Sequence, residues 1–304
     1  MSTKRCIRIG TRESRLALVQ AEMVRDVIEK KEDFSAEIVA MKTTGDKILN
    51  QSLEQIGGKG LFMKELDLAL MDDRTDISVH CVKDMTAELP EEYPILGVSR
   101  REDPRDVLVL PKGESQLDRT LPVGCSSRRR ILQFQKMYPE QECKSVRGNV
   151  LTRLEKLDRG EYSALLLAAA GLKRLGLEGR ISRYFSAKEI IPAAGQGILA
   201  VQGHRSFDTS CLQGYFDQQA YQEMTCERAF IRYLNGGCTS PIAAFAKTEG
   251  DMLYLTGLYF EEEFSPDYVT GSVSGPVSDA EQVGIRLAMQ LQQELRAKHQ
   301  EEKK

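Results

Sequence analysis

Apolar positions along this chain switch between two spacings, and the switches mark its elements. Cys6-Ile7-Arg8-Ile9-Gly10 has the short alternation of a strand. Leu16, Val19, Met23 and Val27 then fall three and four residues apart, the stripe of an amphipathic helix reaching about Lys31. Ser14 stands where it can cap that helix. Further strands are predicted over 36–41, 76–81, 93–98, 107–110 and 144–147, with a strand end over 121–127. Helices are predicted over 61–71, 128–137, 150–159 and 169–175. Ala164 to Ala168 is a continuous apolar run, as in a parallel sheet covered on both faces. Ile198 to Gln202 reads as a strand able to return to the first sheet. A helix from Gln218 to about Leu234 precedes three strands, over 242–246, 252–259 and 268–274. The last helix starts near Ser278, carries a seam of Val283, Leu287, Leu291 and Leu295, and has Ser278 and Glu281 at capping-box spacing.

Alternating strands and helices predict an α/β fold: two periplasmic-binding-protein-like α/β domains plus a small α+β C-terminal domain with a three-stranded sheet. The expected domains are 1–100 with 198–217 (substrate and catalysis), 101–197 (arginine-rich, cofactor-binding) and 218–304 (carrying the glycine-flanked cysteine). Thr43 through Gly60 is a long polar loop, of a length that usually marks a lid or disorder.

Composition narrows the classes. The 304 residues are 41% hydrophobic and 29% charged, with a net charge of −3, so nothing pushes the chain toward nucleic acid or an anionic membrane. The seven cysteines are scattered, with no C-x-x-C pair, which argues against a disulfide framework and a zinc site and favours a reducing cytoplasm. The three histidines are far apart. No apolar leader precedes the first strand, and the longest apolar run, Ala164 to Leu172, is far short of the about 20 residues that cross a bilayer. No Walker loop, no G-x-G-x-x-G after the first strand and no G-x-S-x-G elbow occurs, so nucleotide and serine-hydrolase roles lack support.

Chemistry gathers at strand ends. Arg12 and Ser14 lie where the first strand meets its helix, a usual place for a ligand in an open α/β sheet. Lys83 and Asp84 follow another strand; alone, an adjacent Lys and Asp usually read as a solvated surface pair. Ser126 and Ser127 precede a helix whose first turn holds Arg128, Arg129 and Arg130, against the helix dipole. Either that turn is a solvated basic patch or it meets an anion. Arg147 and Arg153 repeat the arrangement, a short helix after them carries Lys173 and Arg174, and Arg129, Arg130, Arg147 and Arg153 together describe a cleft for a carboxylate- or phosphate-rich ligand. Gly236-Gly237-Cys238 presents one thiol, a nucleophile or attachment point on one reading and a small turn residue on the other.

The ordered motifs resemble the porphobilinogen deaminase family, also called hydroxymethylbilane synthase. They are Thr11-Arg12-Glu13-Ser14-Arg15-Leu16-Ala17-Leu18, Gly57-Gly58-Lys59-Gly60-Leu61-Phe62, His80-Cys81-Val82-Lys83-Asp84, Arg101-Glu102-Asp103-Pro104-Arg105-Asp106, Gly124-Cys125-Ser126-Ser127-Arg128-Arg129-Arg130, Arg147-Gly148-Asn149-Val150-Leu151-Thr152-Arg153-Leu154, Ala170-Gly171-Leu172-Lys173-Arg174-Leu175, Pro192-Ala193-Ala194-Gly195-Gln196-Gly197 and Gly236-Gly237-Cys238. The resemblance implies a deaminating transferase of tetrapyrrole and haem biosynthesis. It would join four porphobilinogen molecules into hydroxymethylbilane, releasing ammonia, on a dipyrromethane cofactor in thioether linkage to Cys238. It implies Asp84 as catalytic carboxylate, stabilising the azafulvene cation left by ammonia loss, with Lys83 and Lys59 assisting. Ser127, Arg129, Arg130, Arg147 and Arg153 would hold the cofactor with Lys83 and Asp84, and Arg12, Ser14, Arg174 and Gln196 the substrate. No metal, nucleic acid or membrane is expected, and a cytoplasmic monomer is. The chain departs from the family pattern at Thr86, Cys125, Arg128 and Gly203-His204-Arg205. The alternative is a non-catalytic two-lobed anion-binding protein, which would need neither Cys238 nor Asp84.

Overall fold

A computed structural model describes residues 4–47, 63–236, 240–261 and 267–302. The elements run β1 (Arg5–Arg12), α1 (Arg15–Glu29), β2 (Phe34–Met41), α2 (Thr44–Lys47), α3 (Lys64–Met71), β3 (Ile77–Cys81) and β4 (Ile95–Val98). Next come β5 (Asp106–Val109), β6 (Val123–Gly124), α4 (Arg128–Met137), β7 (Cys143–Lys144), α5 (Val150–Asp158), β8 (Ala164–Ala168), α6 (Ala169–Arg174) and β9 (Arg183–Tyr184). The chain closes with β10 (Leu199–Gly203), α7 (Gln218–Tyr233), β11 (Ala243–Glu249), β12 (Met252–Tyr259), β13 (Val269–Pro276) and α8 (Ala280–Glu302). They fall into two compact units, 1–102 with 198–221, and 103–197 with 222–304.

The first unit has one five-stranded sheet, ordered β2-β1-β3-β10-β4. β1 is parallel to β2 and β3, while β10 runs antiparallel to both β3 and β4. Ile7, Ile9, Ile77, Val79 and Val201 pack beneath Ala21, Val24 and Ile28 of α1. The predicted stripe of that helix is therefore rotated: Ala17, Ala21, Val24 and Ile28 are buried, and Met23 is exposed. Two alanines let the helix backbone sit close on the sheet, so the small residues face inward. Ser14 caps α1 as expected, its side chain accepting from the Ala17 N–H at 3.3 Å.

In the second unit a sheet ordered β7-β6-β8-β5-β9 carries apolar side chains on both faces. Val107, Val109, Leu165 and Leu167 face Leu154 and Leu157 of α5 and Leu172 of α6. Leu108, Ala164 and Leu166 face Phe134 of α4 and Phe185. That double burial explains the unbroken apolar run of β8. The antiparallel sheet β11-β12-β13 packs on α7 and α8, where Val283, Leu287, Leu291 and Leu295 are all buried. Gly284 is required there, because a Cβ on it would lie 2.2 Å from the Cys226 carbonyl oxygen of α7. The Ser278–Glu281 capping box does not form. A short 3₁₀ turn over Val277–Asp279 comes first, the Ser278 hydroxyl bonds Asp279, and Glu281 pairs with Arg232.

Candidate active site

In the first unit, β1 and β3 run parallel in register, with Ile9 opposite Ile77 and Gly10 opposite Ser78. Their carboxyl ends therefore lie at one sheet edge, and Arg12 ends β1 there. β3 passes directly into a 3₁₀ turn, Val82–Asp84, which places Lys83 and Asp84, both half-buried, at that edge. Val82 N donates to the Ile198 carbonyl at 3.1 Å, pinning the start of the turn. His80, on the last stretch of β3, is buried and held neutral. Burial lowers its pKa from the usual 6.5 to about 4; Gln202 opposes the shift and the Arg12 charge adds to it. Ser14 caps α1, its hydroxyl accepting from the Ala17 N–H. Lys59 lies outside the described residues.

In the second unit, β6 is parallel to both β7 and β8. Their carboxyl ends share one edge, and from it emerge Ser127, Arg129 and Arg130 after β6, Arg147 and Arg153 after β7, and Arg174 on α6 after β8. Ser126 ties β6 to the strand beside it: its hydroxyl accepts from Val146 N at 3.0 Å and donates to the Val146 carbonyl at 2.7 Å. Ser127 is the N-cap residue of α4 but makes no side-chain cap bond. Cys125 is a buried core residue whose thiol lies 3.6 Å from the Ser127 carbonyl, and burial pushes its pKa up. Arg128 lies over the Phe260 ring at 5.1 Å, a cation–π contact that gives this departure from the family pattern a place.

Gly148 turns the chain between Arg147 and α5 with φ of +109°, and the Gly148 carbonyl accepts from Arg153 Nε at 2.8 Å. Asn149 caps α5 through Thr152 N at 3.0 Å. Arg174 donates through Nη2 to the Gly197 carbonyl at 2.6 Å, and its Nε is buried without a partner among the described residues.

One residue in this cluster is not among the expected site residues: Asp106, which the sequence shows only as the last residue of the Arg101–Asp106 motif. β5 runs antiparallel to β8, with Asp106 opposite Ala168, so its first residue lies at the edge where β8 ends. Asp106 is 0% exposed, and Arg129 and Arg130 beside it are 3% and 8% exposed. Burial alone would raise its pKa. The charges of Arg129 and Arg130, with hydrogen bonds from Arg129 and Gln196, hold the carboxyl well below the usual carboxylate range instead. Gln196, expected at the substrate, is buried with its amide on Asp106 and on the Pro104 carbonyl. The signal available in the sequence was an acid directly preceding the apolar run Val107-Leu108-Val109. Cys238, with Gly237 and Thr239, lies outside the described residues.

Two mixed sheets with titratable side chains gathered at their parallel strand ends define an α/β protein of the open-sheet, edge-binding kind. A family model described as "Porphobilinogen deaminase, dipyromethane cofactor binding domain" matches residues 7–211, and "Porphobilinogen deaminase, C-terminal domain" matches 221–293. The porphobilinogen deaminase of Acetivibrio thermocellus is 52% identical over 94% of this chain and 97% of its own. That of Alkaliphilus oremlandii is 53% identical over 95% and 97%. The chain belongs to the porphobilinogen deaminase family, a family of enzymes. Among solved structures, the periplasmic aliphatic sulphonate binding protein of Escherichia coli is distantly similar, with a TM-score of 0.39 and 10% identity over 77% of this chain and 71% of that one.

Proposed function

We propose that this chain joins four porphobilinogen molecules head to tail into hydroxymethylbilane, releasing ammonia, on a dipyrromethane primer in thioether linkage to Cys238. The observation that carries the reading is the convergence of Ser127, Arg129, Arg130, Arg147, Arg153 and Arg174 on the carboxyl edge of three parallel strands. The residues fit an acidic pyrrole group: the α4 N-terminus lacks a side-chain cap, and Arg174 Nε is buried without a partner among the described residues. When bound, the dipyrromethane supplies the pyrrole carbon to which incoming units are joined. Arg129, Arg130, Arg147 and Arg153, with Ser127, bind acetate and propionate groups by charge-assisted hydrogen bonds. Arg12, Arg174, Ser14 and Gln196 serve the substrate; Ser14 does so by holding the start of α1, and Gln196 through Asp106.

Asp84 accepts the substrate pyrrole N–H and stabilises the cation left when ammonia departs, as a fixed charge aimed where charge develops. Lys83 and Lys59 assist from the adjoining turn and loop. Holding two pyrroles in contact supplies the proximity that carbon–carbon bond formation needs. We read the domains as 1–100 with 198–217, 101–197 and 218–304, and the chain as a cytoplasmic monomer. No helix among the described residues is long and apolar enough to cross a membrane.

Incubation with porphobilinogen tests the reading: one ammonia should be released per porphobilinogen consumed, with a linear tetrapyrrole as product. Binding without ammonia would favour the non-catalytic anion-binding alternative.

A further inference from the structure

Asp106 divides its two oxygens between neighbouring arginines. Oδ2 accepts from Arg129 Nη1 at 2.6 Å, and Oδ1 accepts from Arg130 Nε at 2.8 Å and from Gln196 Nε2 at 3.0 Å. Each donor has a second anchor on the backbone. Arg129 Nη1 reaches the Ile191 carbonyl at 2.6 Å, Arg130 Nη1 the Leu166 carbonyl at 3.3 Å, and Gln196 Nε2 the Pro104 carbonyl at 2.6 Å. Both guanidiniums are therefore fixed in position and plane before any ligand arrives.

Charge balance among these three ionised groups is uneven, with two positive charges sharing one negative. Such a buried cluster contributes little to stability for its desolvation cost. It can instead hold a preformed donor array at the first turn of α4. We propose that Asp106 is a positioning residue for the cofactor: clamped with Arg130, it sets the guanidinium plane of Arg129 so that the Arg129 N–H groups turned away from Asp106 meet a carboxylate of a bound acidic pyrrole chain. This inference rests on the reading of those arginines as cofactor-binding residues.

Asp106→Asn is the discriminating substitution. It leaves one acceptor oxygen where two arginines need one each, and turns an amide N–H₂ toward a guanidinium. Asp106→Glu keeps the charge and both acceptors. Full-length protein is made in cells that supply porphobilinogen. Intact mass gives the dipyrromethane carried per chain, circular dichroism gives the folded fraction, and KM and kcat for porphobilinogen are measured. Asp106→Asn should carry roughly tenfold less cofactor per folded chain, the scale on which one buried charged contact acts, and show a raised KM. Asp106→Glu should recover most of both. Wild-type cofactor content in folded Asp106→Asn, or a loss that only tracks the folded fraction, would overturn the proposal. Should Asp106→Asn fail to fold, Gln196→Met loosens the same carboxylate while keeping all three charges. It should lower cofactor content, and unchanged content would overturn the proposal equally. If the wild type itself carries no dipyrromethane, the functional reading fails rather than this one. Inorganic phosphate then serves as the probe: it should bind the wild type more tightly than Asp106→Asn, and equal affinities would count against Asp106.

Discussion

Two aspartates at strand ends have opposite surroundings, and the proposed roles follow that difference. Asp84 is half-buried in a 3₁₀ turn, while Asp106 is sealed beneath two arginines. Asp84→Ala should leave the circular dichroism spectrum and unfolding midpoint near wild type while ammonia release falls by about 100-fold or more, the scale of losing one fixed transition-state partner. Near-normal turnover would remove Asp84 from its assigned role. His80 makes a pH prediction. Its folded pKa, about 4, lies below the usual 6.5, so above that value neither state is charged and nothing is lost. As pH falls from 6.5 toward 4 the unfolded chain takes a proton that the folded chain refuses. Stability should then decline by up to ~3 kcal/mol. His80→Gln should flatten that limb of a urea-midpoint profile against pH, and an unchanged slope would contradict the assignment. The strand-end motifs stood out in the sequence because glycines and serines punctuate them. Asp106 did not, because Asp103-Pro104-Arg105-Asp106 looks solvated until the antiparallel β5 turns its first residue inward.

Among the elements, the turn before α5 is the most tightly specified. Gly148 has φ of +109°, and a Cβ there would lie 2.8 Å from Thr152 Cγ2 and 2.9 Å from Thr152 Cβ. Gly148→Ala should therefore cost about 1–3 kcal/mol in urea unfolding. It should also free Arg153 from the Gly148 carbonyl and weaken anion binding; wild-type stability and binding would mean the turn tolerates another geometry. The helix Arg128–Met137 was legible from the serines at its start, and β8 from its unbroken apolar run. β6, β7 and β9 are two residues each, too short for any period, and only pairing with neighbouring strands defines them. α1 shows the converse limit: the larger apolar side chains suggested one face, and the smaller Ala17 and Ala21 took the contact.

At the scale of the molecule, the alternation of strand and helix gave the α/β class, and a small antiparallel sheet on two helices closes the chain. The reversed direction of β5 and β10 is less visible in sequence, because apolar runs carry no direction. A net charge of −3 conceals the basic edge of the second sheet, since acids elsewhere offset it. The central claim is that this edge serves a pyrrole chain tethered to one thiol. Intact-protein mass with peptide mapping, on protein from cells able to make porphobilinogen, tests it most directly. The account predicts one dipyrromethane mass on the peptide containing Cys238, absent in Cys238→Ser. An unmodified Cys238 in active protein would contradict it.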